Sequence, residues 1–355
     1  MATPAPALTV VLPVHDGAPW LAAALGSVQA QTFTDWELLA IDDGSRDGSR
    51  AILEAFAAAD PRIVVTSRPA EGLAATLQEG IGRARSEFVA LQHADDVSWP
   101  RRLEAQRAFL AAHDRVAVVG TQTRLLVDGA PTAVTSRLPT DPAGCRALLP
   151  AASPLAHPSV MMRRSAILAV GGYRRAVPAE DWDLWLRLAE RHDLANLPDV
   201  HLDYRLHPGQ LSRSGDERLA VAALVVRRAA EERRAGRPDP LVQRAADRET
   251  ATVLGIRDAD VAAATREAAV VRAEQLLAAT GSADRAAREL DLLAGHWTAT
   301  ADPVRWQAAC DWIAGRGALV GGRRLRGAML LARAALADPT LGLRLVKALP
   351  RRLRG

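Results

Sequence analysis

The 355-residue chain is 49% hydrophobic and 24% charged, the balance of a folded globular protein rather than a disordered one. Its 45 basic and 41 acidic residues nearly cancel, so a nucleic-acid partner is not expected. The length predicts two domains. The chain lacks a signal-peptide pattern and an apolar run of the ~20 residues that cross a bilayer, so we expect a cytoplasmic protein. Cys145 and Cys310 have neither disulfide-framework nor zinc-site spacing, which fits a reducing compartment.

Short apolar strands alternate with amphipathic helices in the first third of the chain. Residues 8–14 and 36–41 are apolar runs typical of buried parallel strands, and helical spacing follows each, at 20–31 and 49–59. Further strands are predicted at 62–66 and 88–92, with helices at 73–84 and 100–113. This order predicts an α/β fold, with a mostly parallel sheet and helices on both faces.

The pattern then changes twice. Residues 116–121 and 124–127 have strand character around a predicted turn, and a hairpin corner at Asp128-Gly129 precedes 131–138, so antiparallel strands should make the sheet mixed.

After Leu206 strand signals stop, and we expect a boundary near Gly215 between an α/β domain, 1–214, and an all-helical region, 215–355. Helices are predicted at 218–235, 241–253, 258–279 and 282–293, and from 302 onward with breaks at Gly315, Gly321-Gly322 and Pro339.

Two pairs of aspartates follow predicted strands. Asp42-Asp43 ends the second strand, and Asp95-Asp96 comes shortly after the fourth. Ligands of open parallel sheets bind beyond the carboxyl ends of the strands, so all four carboxylates are expected at one crevice. Mn²⁺ or Mg²⁺ bound to a diphosphate would offset their repulsion, because these ions take hard oxygen ligands. Each pair alone could also be an ordinary turn with a helix cap.

Several motifs, in order and spacing, resemble the family 2 glycosyltransferases of the GT-A fold. They are VVLPVHD at 10–16, SVQAQT at 27–32 and DDGS at 42–45, followed by HPSVM at 157–161, GGY at 171–173, EDWDLWLR at 180–187 and YRLH at 204–207. The resemblance covers about residues 8–213. It implies a Rossmann-like GT-A domain and an inverting transfer of sugar from a nucleoside diphosphate to an acceptor hydroxyl.

On the donor side, the resemblance implies a nucleotide pocket. Pro13, His15 and Asp16 would line it, and Asp43, with Asp42 beside it, would hold the base. Mn²⁺ or Mg²⁺ is the implied cofactor.

The metal and diphosphate site is implied further along the chain. Asp95 and Asp96 would serve the ribose, the diphosphate and the metal. His207 is a further candidate metal ligand, and Arg205 could stabilise phosphate charge. A histidine in a loop is otherwise a structural residue, so this role of His207 stays open.

The chain departs from the family pattern at two positions. His93 stands where many relatives have the first aspartate of an Asp-x-Asp motif, and Gln78 stands where asparagine is common. His93 could be a weak metal ligand, a hydrogen-bond donor to phosphate or a structural residue. We keep the expectation of metal dependence because the later carboxylates usually matter most for the ion.

The acceptor side is expected around a helix that opens with Glu180-Asp181. An inverting transfer needs a base on the acceptor hydroxyl, and the family comparison places that base at Asp181. Trp182 belongs to the face that would anchor this helix; the two acids could instead be favourable charges at a helix amino terminus. The donor-acceptor junction would be shaped by His157, Gly172 and Tyr173, although a plain strand-turn account is open.

Other functions compete with this interpretation. A nucleotidyltransferase should carry a glycine-rich basic loop after the first strand, and the loop at 15–19 has no lysine or arginine. A glycosyltransferase-fold scaffold that has lost turnover is the other rival. The acceptor is left open among polysaccharides and other glycans, lipid-linked sugars and small molecules of cell-envelope synthesis. The basic, leucine-rich stretch at 341–354 could give peripheral membrane contact, or pack as a solvated helix.

Overall fold

The structure is a computed structural model, and it describes residues 5–207, 209–210, 217–294, 303–338 and 341. The chain divides into two compact units. The first extends to Leu206 and also contains Val226–Ala246, and the second contains His207–Val225 and the chain from Asp247 onward. The boundary predicted near Gly215 lies outside the described residues.

The first unit is built on one nine-stranded mixed sheet. Its strands are β1 (Leu8–Val14), β2 (Trp36–Asp43), β3 (Ile63–Arg68), β4 (Phe88–Leu91), β5 (Val97–Ser98), β6 (Val116–Val127), β7 (Ala130–Thr135), β8 (Met161–Arg163) and β9 (Asp193–Leu206). Their order is β3-β2-β1-β4-β8-β6-β9-β5, with β7 paired to β6. The pairs β1-β2, β1-β4, β2-β3 and β6-β9 are parallel, and the other pairs are antiparallel.

Helices cover both faces of this sheet, as predicted. The helices of the first unit are α1 (Ala18–Gln29), α2 (Ser49–Ala59), α3 (Leu73–Arg83), α4 (Arg102–Ala112), α5 (Pro142–Leu148), α6 (Arg164–Ala169), α7 (Glu180–Leu188) and the latter half of α8 (Glu217–Arg234). Leu12 of β1 shares one apolar cluster with Leu21 of α1 and Leu53 of α2. Val11 points to the opposite face, where a Cβ on Gly80 of α3 would lie 2.4 Å from its Cγ1.

The antiparallel additions differ from prediction at one point. The turn expected between 121 and 124 is wrong, since β6 continues through it and the register with β9 shifts between Thr121 and Gln122 instead. The hairpin corner at Asp128-Gly129 is confirmed. Both residues have positive φ, 51° and 78°, which is the backbone of a tight turn whose twist matches the strands.

The second unit is helical, as predicted. Its helices are α9 (Arg248–Val253), α10 (Asp258–Thr280), α11 (Ala283–Ala294), α12 (Pro303–Val320) and α13 (Arg324–Ala337). Of the helix predicted at 241–253, only Arg248–Val253 is α-helical, because the Asp247 carboxylate accepts the Thr250 N–H and starts α9 there. The break predicted at Gly315 is also wrong: a Cβ there would lie 3.1 Å from the Gly327 carbonyl oxygen, so the glycine lets α12 and α13 pack closely.

Two sequence predictions concern membranes: the lack of a membrane-spanning helix and peripheral contact through residues 341–354. Among the described residues, each helix is too short or too polar to span a bilayer. The stretch predicted for peripheral contact, 341–354, lies outside the described residues except for Leu341. Leu341 is buried in an apolar cluster with Trp312 and Leu331.

Candidate active site

The predicted donor residues lie at the carboxyl ends of neighbouring parallel strands. Pro13 is in β1, in register with Ile41 of β2, and His15 and Asp16 follow that strand directly. The end of β2 carries Asp42 and Asp43. Because β1 lies between β2 and β4, the loop after β4, which holds Asp95 and Asp96, borders the same edge.

Asp43 is a buried carboxylate held on several sides. Its oxygens accept the backbone N–H of Glu71 at 2.9 Å and of Gly72 at 2.8 Å, and Arg68 forms an ion pair with it at 3.0 Å. Arg68 also pairs with Glu71 at 3.1 Å and Glu79 at 3.2 Å. Arg68 was not among the predicted site residues, because the sequence marks it only as a charged residue at the end of the third strand.

His15, Asp16 and Asp42 shape the rim of this pocket. The His15 ring donates from Nδ1 to the Asp43 carbonyl oxygen at 2.8 Å. Asp16 has a positive φ of 49° and accepts the Arg46 N–H at 2.7 Å. Asp42 is buried and accepts the Ser45 N–H at 3.0 Å, so its carboxylate holds a turn. His15 and Asp16 are exposed and can meet a ligand.

The loop after β4 presents a group of metal-ligand atoms. One ring nitrogen of His93 and one carboxylate oxygen each of Asp95 and Asp96 lie within 4.8 Å of one another. Asp96 is fully buried, and its Oδ1 accepts the backbone N–H of Arg205 at 2.9 Å. Its Oδ2 is buried without a hydrogen-bond partner in the described part of the chain. Burial, and then the charge of Asp95, raise the pKa of Asp96 well above its ordinary value.

This loop is tied to neighbouring strands. The Arg205 side chain donates from Nε to the Asp95 carbonyl oxygen at 2.7 Å, so Arg205 holds the loop through backbone and side chain together. A Cβ on Gly17, next to Asp16, would lie 3.1 Å from the Cβ of Ala94. The loops after β1 and β4 are therefore in contact, which places the predicted donor residues beside the three potential metal-ligand atoms.

A buried arginine supports the loop from below. Arg102 is 1% exposed and donates to the Leu91 carbonyl oxygen at 2.6 Å and to Ser98 Oγ at 2.8 Å. Gln92 donates to the His93 and Asp96 carbonyl oxygens, both at 2.9 Å. Arg102 and Gln92 were not among the predicted site residues, because arginine and glutamine within polar stretches are usually solvated.

The acids at the start of α7 have different surroundings. Glu180 is 7% exposed, and burial and the charge of Asp181 raise its pKa to about 8. Burial also raises the pKa of Asp181, whose Oδ1 accepts the Trp182 N–H at 2.7 Å. The Trp182 indole donates to the Leu149 carbonyl oxygen at 2.9 Å, which anchors the first turn of the helix.

His157 and Tyr173 connect α7 with the loop after β4. His157 Nε2 and the Tyr173 hydroxyl are hydrogen-bonded at 2.8 Å, and the His157 ring meets the His93 ring edge-on with centroids 5.2 Å apart. The His157 ring also lies 6.0 Å from the Trp185 ring of α7, centroid to centroid. His93, Tyr173 and α7 therefore meet around His157.

The turn at Gly172 is fixed by a neighbouring side chain. Gln78 accepts the backbone N–H of Tyr173 at 2.8 Å, and a Cβ on Gly172, which has φ of 67°, would lie 1.9 Å from Gln78 Oε1. Gln78 therefore has a structural contact here. Arg187 donates to the Gly172 carbonyl oxygen at 2.8 Å and pairs with the fully buried Asp183 at 2.7 Å.

The structure thus groups most of the predicted residues in the first unit. The exception is His207, which belongs to the second unit and whose backbone N–H donates to Gln210 Oε1 at 3.2 Å. Its assignment to the metal stays a prediction. Asp183, the third acid in the first turn of α7, is paired with Arg174 and Arg187 and cannot reach a ligand while it is fully buried, so it is not a candidate for the base.

Comparisons with known proteins agree with this geometry. Residues 9–171 match the family described as Glycosyl transferase family 2. "Putative glycosyltransferase EpsE" of Bacillus subtilis (strain 168) is 35% identical over 190 residues, which are 52% of this chain and 67% of that protein. The O-antigen biosynthesis glycosyltransferase WbnJ of Escherichia coli is 28% identical over 213 residues, which are 58% of this chain and 82% of that protein.

A solved structure shares the fold. The mannosyltransferase PcManGT from Pyrobaculum calidifontis, in complex with GDP-Man and Mn²⁺, has a TM-score of 0.51 at 19% identity. The match covers 95% of this chain and 88% of that one. With the sequence matches, this likeness shows that the chain is a glycosyltransferase with a GT-A fold and belongs to family 2.

Proposed function

We propose that this enzyme is an inverting, metal-dependent glycosyltransferase that takes a sugar from a nucleoside diphosphate and transfers it to an acceptor hydroxyl. One observation carries the proposal. The loop after β4 offers a buried carboxylate whose Oδ2, on Asp96, has no hydrogen-bond partner among the described residues. The ring of His157 contacts both His93 of that loop and Trp185 of α7, the helix that carries the second acid, Asp181. A cation site and a base are the two parts that this reaction needs.

The nucleotide is assigned to the rim around Asp43. Pro13, His15 and Asp16 would line it, and Asp43, with Asp42 beside it, would accept a hydrogen bond from the base. Two backbone N–H groups and Arg68 hold the Asp43 carboxylate in place, so little conformational entropy is lost when it binds.

The residues after β4 fit a divalent cation. Oδ2 of Asp96 is buried and meets no hydrogen-bond partner within the described ranges, and a cation would stabilise the charged form of Asp96, which burial disfavours. Asp95 adds a second carboxylate nearby. We assign Mn²⁺ or Mg²⁺ to these two residues, with His207 as a further candidate. When bound, the ion neutralises negative charge on the departing diphosphate.

We assign the base to Asp181. A raised pKa makes its carboxylate a better proton acceptor at neutral pH. Glu180, whose pKa is about 8, is mostly protonated at neutral pH and accepts a proton less well.

The remaining predicted residues are assigned to the substrates. The acceptor or the donor sugar would be positioned by His157, Gly172, Tyr173 and Trp182, and Arg205 would face the diphosphate.

The acceptor class is inferred from relatives. The proteins named for O-antigen and amylovoran biosynthesis suggest a growing glycan or a lipid-linked sugar as the acceptor, with a role in cell-envelope polysaccharide synthesis. We assign the chemistry to residues 1–214 and regard the helical remainder, 215–355, as an appendage that the chemistry does not need.

A thermal-shift screen of nucleotide sugars tests the proposal. With 1 mM Mn²⁺, at least one uridine or guanosine diphosphate sugar should raise the melting temperature by ~2–4 °C or more, because binding at [ligand] ~100 Kd stabilises by ~2.7 kcal/mol. The shift should shrink when EDTA replaces Mn²⁺, and nucleoside monophosphates are the matched control. The proposal would be contradicted if all diphosphate sugars failed to stabilise the chain.

A further inference from the structure

We propose that His93 is a nitrogen ligand of the bound cation and that it shifts the enzyme's preference from Mg²⁺ towards Mn²⁺ and related transition metals. The inference rests on the proposed function, since it concerns the ion assigned to Asp95 and Asp96. It goes beyond that function because it adds a nitrogen ligand, His93, to the two carboxylates.

The distances suit one shared ion. Ligand atoms on opposite sides of an ion with bonds of ~2.1 Å lie ~4.2 Å apart. The ring nitrogen of His93 and the oxygens of Asp95 and Asp96 already lie within 4.8 Å of one another. Adjacent ligands of such an ion lie closer, ~3 Å apart, so inward movements of ~1 Å would bring all three into coordination.

Two of the candidate ligand residues carry buried atoms that lack other partners. His93 Nε2 and Asp96 Oδ2 are both buried, and neither has a hydrogen-bond partner in the part of the chain that the structure describes. Buried polar atoms are normally satisfied, so such a pair calls for an explanation. A cation bound at this loop provides one without moving the fold.

Neighbouring groups leave the His93 ring free to coordinate. His157 is hydrogen-bonded through Nε2 to the Tyr173 hydroxyl, and its ring meets His93 edge-on. A metal ligand must offer a nitrogen without a proton, and the buried Nε2 of His93 meets no hydrogen-bond partner among the described residues. His157 thus orients His93 and is itself engaged elsewhere.

The identity of the donor atom determines the selectivity. Mg²⁺ binds oxygen ligands and keeps its waters, whereas imidazole nitrogen suits transition metals, whose affinity rises from Mn²⁺ through Co²⁺. An aspartate at position 93 would give an all-oxygen site. The histidine therefore replaces an oxygen donor with a nitrogen donor at one position of the site.

Pulsed electron paramagnetic resonance with Mn²⁺ alone tests the assignment on the full chain. In the wild type, electron spin echo modulation should show a directly bound ¹⁴N nucleus. His93→Asn and His93→Asp should remove that modulation. His113→Asn, which changes an exposed histidine outside the site, should keep it.

Calorimetric titration of the same proteins with Mn²⁺ and Mg²⁺ supplies the second readout. The ratio of the Mg²⁺ to the Mn²⁺ dissociation constant should fall at least ~10-fold in His93→Asp, because the variant lacks the imidazole nitrogen that favours transition metals. An unchanged ratio, or nitrogen modulation that persists in His93→Asn, would overturn the role of His93.

The outcomes separate this inference from the proposed function. Mn²⁺ bound by the wild type without nitrogen modulation overturns the role of His93 and leaves the carboxylate site intact. A wild type that binds neither metal, alone or with uridine or guanosine diphosphate, overturns the metal assignment as a whole. The wild-type spectrum decides the first question even if a variant fails to fold.

Discussion

Asparagine in place of Asp181 is expected to cut sugar transfer at least ~10²-fold while donor affinity stays nearly unchanged. The side chain keeps its shape, and its amide oxygen can still accept the Trp182 N–H that the Asp181 carboxylate accepts at 2.7 Å. It cannot take the proton of the acceptor hydroxyl. Initial rates of nucleoside diphosphate release and calorimetric donor titrations would measure the two effects separately.

Glu180→Gln is the matched control for that experiment. Since the pKa of Glu180 is raised to about 8, glutamine resembles the protonated form that prevails at neutral pH, and the rate should change less than in Asp181→Asn. A near wild-type rate in Asp181→Asn would leave Asp181 as a helix-terminal charge. A rate lost only in Glu180→Gln would move the base to Glu180.

Alanine in place of Asp96 is expected to remove the metal-dependent part of donor binding. In the wild type, Mn²⁺ should strengthen nucleoside diphosphate binding at least ~10-fold, because a cation held by Asp96 would offset the negative charge of the phosphates. In Asp96→Ala the affinities with and without Mn²⁺ should coincide. Calorimetric titrations in Mn²⁺ and in EDTA measure both.

Two further variants make this result specific. Asp96→Asn keeps an oxygen that can accept the Arg205 N–H and should behave like Asp96→Ala if charge, not loop support, is what matters. Asp114→Ala removes a carboxylate that is 98% exposed, and it should leave the metal effect unchanged. Undiminished metal dependence in Asp96→Ala would refute the assignment.

The fold of the first unit was predictable because its strands are short apolar runs with clear ends. Helix α2, predicted at 49–59, has those bounds in the structure. The errors arose where tertiary contacts outweigh local signals. Gly315 is typical of a helix break, but its close packing against α13 keeps it inside α12. The turn predicted within β6 does not form, because the strand stays paired with β9 through two register shifts there.

The positions of the candidate site residues followed from strand ends and motifs, but their surroundings did not. The strand ends indicate where Asp43 and Asp96 lie, whereas the contacts of Arg68 with Asp43 and of Arg205 with Asp96 join residues distant in sequence. The exclusion of Asp183 as a base likewise needed its ion pairs and burial. Charge pairing across the fold carries no local sequence signal.

The rival functions now stand differently. Membership of the family makes the chain a glycosyltransferase, which removes the nucleotidyltransferase alternative. A chain that has lost turnover would keep the same fold, so only a rate measurement separates it from an active enzyme.

The central claim, inverting transfer from a nucleoside diphosphate sugar, is tested most directly by the stereochemistry of the product. The wild-type chain with Mn²⁺ and the donor that stabilises it most should slowly transfer the sugar to water. Proton nuclear magnetic resonance should then show the first-formed free sugar with the anomeric configuration opposite to that of the donor. A first-formed sugar with the donor's own configuration, or no Mn²⁺-dependent release of nucleoside diphosphate, would contradict the account.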